Sequence, residues 1–170
     1  MEDLVVKNIE IRRLKIEDYD QVAEIYLEGI RSGHATFETQ APTWQHWMAF
    51  LILECSFVII DSNKIAGWAA LGKVSNRQAY KGVAEVSIYI SNENKGKGFG
   101  QQLLEKLVLE SENQGIWTLF ASIFPENLAS INLHKKMGFR EIGYREKIAQ
   151  MNGVWRNTII MERRSEKVGI

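Results

Sequence analysis

The stretch 92–110, "NENKGKGFGQQLLEKLVLE", decides how the rest of the chain is read. From Phe99 the apolar residues Phe99, Leu103, Leu104, Leu107 and Val108 recur at i, i+4, i+5, i+8 and i+9, one face of a 3.6-residue period. Gly96, Gly98 and Gly100 therefore stand just before and inside a first helical turn, whose backbone N–H groups lack intrahelical partners. Glycine weakens a helix interior but lets another backbone or a ligand approach closely. With Lys95 and Lys97 beside them, the free N–H groups and the helix dipole point the same way, which fits an anion site. A glycine turn carrying solvated lysines is the other reading this stretch allows.

Composition sets the frame. A chain of 170 residues, 45% apolar and 25% charged, suits one globular domain over residues 1–170 with a real core. The 21 basic residues balance 21 acidic ones, which argues against a nucleic-acid partner bound through a broad basic surface. The one cysteine, Cys55, rules out an internal disulfide framework and is compatible with the cytoplasm. The N-terminal "MEDLVVKNIEIRRL" carries acids at positions 2 and 3 and reads as no secretory signal. Nothing approaches the roughly 18 consecutive apolar residues of a membrane span. The expectation is a soluble cytoplasmic domain without membrane attachment.

Outward from the opening stretch, "IEIRRL" (9–14) reads as a strand and "IEDYDQVAEIYLEGIR" (16–31) as a helix. "TWQHWMAFLILE" (43–54) reads as a second helix, with Thr43 as its N-cap after Pro42. "SFVIID" (56–61), "IAGWAALGK" (65–73) and "AEVSIYIS" (84–91) follow as strands. Beyond the glycine-led helix come "WTLFASIF" (117–124) as a strand and "NLASINLHKKMG" (127–138) as a helix closed by Gly138. The segment 139–163 reads as a hairpin turning at Asn152-Gly153, the strongest short hairpin signal. This order predicts a mixed α/β (α+β) fold, not a strict βαβ array. Connections 31–43 and 74–83 are long enough to be functional loops.

Two familiar phosphate motifs fail. Gly100 is followed by Gln101-Gln102, so the lysine and hydroxyl of a P-loop are missing, and no glycine spacing completes G-x-G-x-x-G. A strand followed by [QR]-x-x-G-x-[GA] and a helix does fit, with Lys95 at the first position of Lys95-Gly96-Lys97-Gly98-Phe99-Gly100. In this the chain resembles the GNAT superfamily of acetyl-CoA-dependent N-acetyltransferases. "NLASINLHKKMGF" and the terminal hairpin resemble the superfamily's later region, N-x-x-[AS]-I-x-L-[YH]-x-x-x-G-F. "RQAYKGVAEVSIYI" (77–90) is similar to the matching region of phosphinothricin acetyltransferase-like members, and the likeness runs from about residue 9 to about 163.

The resemblance implies a GNAT fold: a mixed, mostly antiparallel sheet of six to seven strands flanked by about four helices. It implies acetyl-CoA as acetyl donor and a small-molecule amine as acceptor, the α-amine of an amino acid or an analogue such as phosphinothricin, methionine sulfoximine or methionine sulfone. A protein N-terminus, a polyamine or a catalytically silent CoA-binding role are the rival readings. Carried over residue by residue, Lys95, Gly96, Lys97, Gly98, Phe99, Gly100 and Gln101 would cradle the CoA pyrophosphate. Ile88, Tyr89 and Ile90 would pair their backbone with the pantetheine amides. Asn127 and Ser130 would meet the thiol end, and Asn127 can also cap its helix.

The chemistry needs a base for the protonated amine and a proton for the departing thiolate. Period-2 alternation puts Glu85, Ser87 and Tyr89 on one strand face, so Glu85 either lines a cleft as the base or solvates an edge strand. His134 stands where many superfamily members have a tyrosine, one helical turn after Ser130; it is either an acid–base group or a surface histidine beside Lys135 and Lys136. Arg77, Tyr80 and Lys81 lie in the loop that holds the acceptor's carboxylate in such relatives, and Phe37 in the loop over its side-chain pocket. Direct attack in a ternary complex is expected, since Cys55 lies away from every motif. His34 and His46 have no metal-ligand spacing with His134, so no metal is expected. A homodimer, common in the family, is the expected assembly.

Overall fold

The structure, a computed structural model, describes residues 9–170; the acidic start of the chain, on which the absence of a secretory signal was read, lies outside the described residues. The elements are β1 (Ile9–Arg13), α1 (Tyr19–Ser32), α2 (Trp44–Phe50), β2 (Leu51–Asp61), β3 (Lys64–Lys73), β4 (Val83–Ile90), α3 (Phe99–Asn113), β5 (Thr118–Ile123), α4 (Leu128–Lys136), β6 (Arg140–Met151) and β7 (Val154–Arg164). They form one seven-stranded sheet in the order β1-β2-β3-β4-β5-β7-β6. Every neighbouring pair is antiparallel except β4–β5. Seven strands and four helices agree with the expected architecture.

Strand alternation sorts the core onto the two sheet faces. Phe57, Ile59, Ala69, Leu71 and Val86 face Leu103, Leu104 and Leu107 of α3. The intervening Val58, Trp68 and Ala70 face Val22, Ile25 and Tyr26 of α1 and Trp47 of α2. Each fully buried Leu or Phe contributes about 1.5–3 kcal/mol relative to exposure, so these two layers hold the sheet. The junction of β1 and α1 is tied by Asp18, which accepts from the Arg12 guanidinium at 2.7 and 2.8 Å and from the Lys15 backbone N–H at 2.9 Å. Those hydrogen bonds hold the Asp18 carboxyl below its usual range.

Boundaries follow local chemistry. Thr43 caps α2 by accepting from the His46 N–H, as read from the sequence. Asn152 and Gly153 sit at φ 51° and 77°, the left-handed pair a two-residue hairpin turn requires. One reading is corrected: the helix expected over 43–54 stops at Phe50, and Leu51 is extended and pairs with Gly72. "LILE" is a short apolar run, ambiguous between helix and strand, and an open place beside β3 settles it.

The feature that creates a site is where the sheet comes apart. β4 pairs with β5 only through Val83–Glu85 and Thr118–Phe120. Beyond Glu85 the two parallel strands diverge, so the β5-facing backbone of Val86–Ile90 has no strand partner, while its other edge stays paired with β3.

Candidate active site

The gap between β4 and β5 opens into a cleft of about 910 Å³. At one end stands the glycine turn between β4 and α3. Gly96 and Gly98 adopt φ 78° and 81°, and a Cβ on either would meet no protein atom within 4 Å. These residues are demanded by backbone conformation, and the turn presents N–H groups toward open space at the start of α3. Lys95, Gly96, Gly98, Phe99, Gly100 and Gln101 all line the cleft. Lys97 does not: its ammonium donates to Asn94 Oδ1 at 2.6 Å and lies 3.6 Å from Asp61. Its ammonium therefore braces the loop, while its backbone stays within the glycine turn. Lys136, unremarked in the sequence, lines the cleft and donates to Gln101 Oε1 at 2.6 Å.

The middle of the cleft is walled by Ile88, Tyr89 and Ile90 of β4 and by Asn127, Ser130 and His134 of α4. Asn127 Oδ1 accepts from the Ser130 N–H at 3.2 Å, capping α4, and its Nδ2 donates to the His34 carbonyl at 3.1 Å. It caps the helix and also ties down the loop after α1.

His134 is not the surface histidine that one reading of its lysine neighbours allowed; it is 1% exposed. Its Nδ1–H donates to the Ser130 carbonyl at 2.8 Å, which fixes the tautomer because a carbonyl only accepts. Nε2 then carries a bare lone pair and has no partner among the described residues. Burial pushes the imidazole pKa down, so it rests neutral. It can accept a hydrogen bond or a proton, but has none at Nε2 to give. Thr158 Oγ1, across the cleft on β7, is the other buried polar atom of the lining without a partner.

The far end is built from side chains. Glu85 projects from β4 with a solvent-open edge. The protein around it pushes its carboxyl above the ordinary range, and the Arg145 guanidinium draws it partly back. Tyr89 shares that face, stacked on Trp68 at 4.9 Å and edge-on to Tyr26 at 4.8 Å. Gly29 makes this possible, since a Cβ there would fall 2.7 Å from the Tyr89 ring. Burial raises the Tyr89 pKa well above its usual value, so its hydroxyl stays protonated and reaches the Ala35 carbonyl at 3.4 Å. The Tyr26 and Thr36 hydroxyls pair at 3.2 Å. Phe37 packs edge-on against Phe124 at 4.8 Å, so it is at once a cleft wall and a packed side chain.

Arg156 fastens this end. It donates to the Gly33 carbonyl at 3.0 Å and to His34 Nδ1 at 3.2 Å, and its guanidinium lies 4.3 Å over the Phe124 ring. Arg77, Tyr80 and Lys81, expected at the acceptor, are not brought to the cleft. They sit on an exposed 3-10 turn at Gln78–Tyr80, with Arg77 stacked 5.6 Å over Tyr80. Among the described residues no group of three or more His, Cys, Asp or Glu side chains could hold a metal. No helix among them is long and apolar enough to cross a membrane.

A sheet splayed between its parallel strands, a glycine turn at the head of the next helix and a carboxylate on the splayed strand thus meet in one cleft. The acetyltransferase (GNAT) domain model matches residues 11–160, and the chain belongs to that family of acetyltransferases. It is 34% identical over 148 residues to YwnH of Bacillus subtilis, a candidate phosphinothricin acetyltransferase, covering 84% of this chain and 91% of that protein. It is 32% identical over 101 residues to the L-methionine sulfoximine/L-methionine sulfone acetyltransferase of Pseudomonas aeruginosa, 59% of each chain. Among solved structures, the Sinorhizobium meliloti phosphinothricin acetyltransferase in complex with AcCoA superposes with a TM-score of 0.84 at 29% identity, over 95% of this chain and 90% of that one.

Proposed function

We propose that the protein transfers the acetyl group of acetyl-CoA to the α-amine of a small amino acid or analogue, of the phosphinothricin, methionine sulfoximine or methionine sulfone type. The observation that carries this reading is that the splayed edge of β4, the glycine turn and Glu85 share one cleft. Acetyl-CoA supplies an activated thioester carbonyl. The residues present fit it: unpaired β4 backbone at Ile88–Ile90 for the pantetheine amides, and open-faced Gly96 and Gly98 with Gly100 for the pyrophosphate. Asn127 and Ser130 border the thiol end, with Lys95 and Lys136 adding charge near the phosphates.

Glu85 takes a proton from the acceptor ammonium, which frees the nitrogen lone pair to attack the thioester carbon; its raised pKa suits that task. The new C–N bond forms as the C–S bond breaks, and the second amine proton ends on the departing sulfur. His134, neutral with Nε2 bare, enters as an acceptor in that transfer. Attack is direct: Cys55 is fully buried and its thiol is pushed up to about 12, which suits no acyl-enzyme. The test is thiol release from acetyl-CoA across a panel of amino acid analogues, N-terminal peptides and polyamines. Turnover of the analogues is expected; turnover of peptides or polyamines alone would contradict the reading.

A homodimer is supported by the exposed apolar side chains Ile142, Tyr144 and Ile148 on edge strand β6, with Val154 and Trp155 beyond the turn. Light scattering should give twice the chain mass. A cytoplasmic setting is compatible with Cys55 being a buried free thiol. A resistance role would appear as tolerance to phosphinothricin or methionine sulfoximine in cells expressing the protein.

A further inference from the structure

The acceptor end of the cleft has a base but, among its lining residues, neither an arginine nor a lysine to meet an acceptor's carboxylate, and its His34 is already engaged by Arg156. The charged residues there are Glu38 and Glu85, Lys95 and Lys136 stand at the glycine-turn end, and Arg77 and Lys81 stay outside. The sheet register shows what can fill the role. Glu85 lies level with Phe120 on β5; Phe120 and Ser122 share a face; Ser122 is opposite Ile160 on β7; Ile160 and Thr158 share a face; and Thr158 is opposite Arg145 on β6. Directly opposed residues point to the same side of a sheet, as do residues two apart on one strand. Arg145 therefore projects on the face that carries Glu85, Ser122 and Thr158, all three of which line the cleft.

Three further facts set it apart from other surface arginines. Among the described residues Arg145, like Arg77 outside the cleft, makes no ion pair and no side-chain hydrogen bond, whereas Arg12, Arg13, Arg31, Arg140, Arg156 and Arg163 are all paired with carboxylates. The ladder shifts register between Arg145 and Ala149, with Lys147 at φ 48° and its N–H held by Asn157 Oδ1 at 2.7 Å. Bulges of this kind bend a strand and re-aim the side chain beside them. Finally, the Arg145 charge is felt at the Glu85 carboxyl, so the two groups lie within electrostatic reach of one another.

We infer that Arg145 is the acceptor-recognition residue of this site, its guanidinium holding the carboxylate of an α-amino acid while Glu85 faces the amine. This rests on the acetyl-transfer reading above and narrows it to amines that bear an anionic group. A guanidinium grips a carboxylate through two parallel N–H donors, which orients the acceptor as well as binding it.

Steady-state kinetics with L-methionine sulfone and its α-carboxamide, on the full chain and on Arg145→Met and Arg145→Lys, test the inference. For Arg145→Met the KM of the acid should rise about tenfold or more, in the range lost with a charge-assisted hydrogen bond. The carboxamide and acetyl-CoA should keep their KM values, so that the preference for acid over amide disappears. Arg145→Lys should restore part of the preference. Because Arg145 is exposed and unpaired, melting temperatures of the variants should match the parent. An unchanged KM for the acid, an equal loss on acid and amide, or a rise in the KM of acetyl-CoA instead would each overturn the Arg145 assignment alone. A parent enzyme that acetylates neither methionine sulfone, methionine sulfoximine nor phosphinothricin would overturn the proposed function, and the assignment with it.

Discussion

The two ends of the cleft are built in different ways. The glycine-turn end is made of backbone: its conformations are written in Gly96 and Gly98, and its lysines donate to neighbouring side-chain amides. The acceptor end is made of side chains delivered from four separate places, β4, the loop after α1, β5 and β7, with Arg145 of β6 inferred as a fifth. A backbone site tolerates variation in side chains and fails when φ is disturbed. A side-chain site fails one residue at a time, and each failure names a function. Four substitutions break or sharpen that contrast.

The largest effect is expected at the acceptor end. Glu85→Gln removes the base and should lower kcat by about 100-fold or more, the scale of general-base catalysis. The same change should leave the melting temperature at neutral pH equal or slightly raised. The sign follows from Glu85 having its pKa raised by the fold: such a carboxyl favours the folded state at low pH, and that contribution is lost as pH rises through the folded pKa. An uncharged glutamine removes this cost. A large fall in melting temperature would instead make Glu85 a structural residue.

Gly98→Val comes next. Gly98 holds φ 81°, so a β-branched residue there is strained although no protein atom blocks its Cβ. The acetyl-CoA KM should rise about tenfold or more while the acceptor KM changes little. An unchanged acetyl-CoA KM would break the backbone account of this end.

Asn127→Ala joins the two ends. Loss of the helix cap costs about 1 kcal/mol, and loss of the bond to the His34 carbonyl loosens the acceptor loop. A lower melting temperature with a raised acceptor KM is expected, read by thermal unfolding and kinetics together. Lys97→Ala should do least, moving the acetyl-CoA KM by no more than about twofold, since its ammonium faces Asn94 and Asp61 and surface ion pairs contribute little. A tenfold rise would return Lys97 to the anion cradle.

The same contrast explains what could be read from the sequence. Strand alternation, the apolar stripe of α3, Thr43, Gly138 and Asn152-Gly153 are local signals, and the sheet, its helices and the terminal hairpin followed from them. So did the glycine turn, because a left-handed φ calls for glycine. Alternation put Glu85 on one strand face with Ser87 and Tyr89 but left open whether that face met a cleft or water, and the splay of β4 from β5 decides for the cleft. Residues brought in by register were not legible. Counted back from the turn without a bulge, Arg145 would face Ile160; the bulge moves it to Thr158. Arg156 reaches the Gly33 carbonyl across 123 positions of sequence, a contact with no local trace. Arg77 and Lys81 were expected at the acceptor by resemblance, yet their loop turns its charges to solvent. For His134 the sequence left an acid–base group and a surface histidine both open, and tertiary packing against Phe139 decides by burying it.

The most direct test of the account is the pH dependence of kcat for acetyl transfer to methionine sulfone, measured on the parent and on Glu85→Gln. Glu85 works as a base only when ionised, so kcat of the parent should rise with pH through a limb above the ordinary carboxylate range. In Glu85→Gln that limb should vanish along with most of the rate. The same limb and a comparable kcat in both proteins would contradict the assignment of Glu85 as the base on which this reading of the cleft depends.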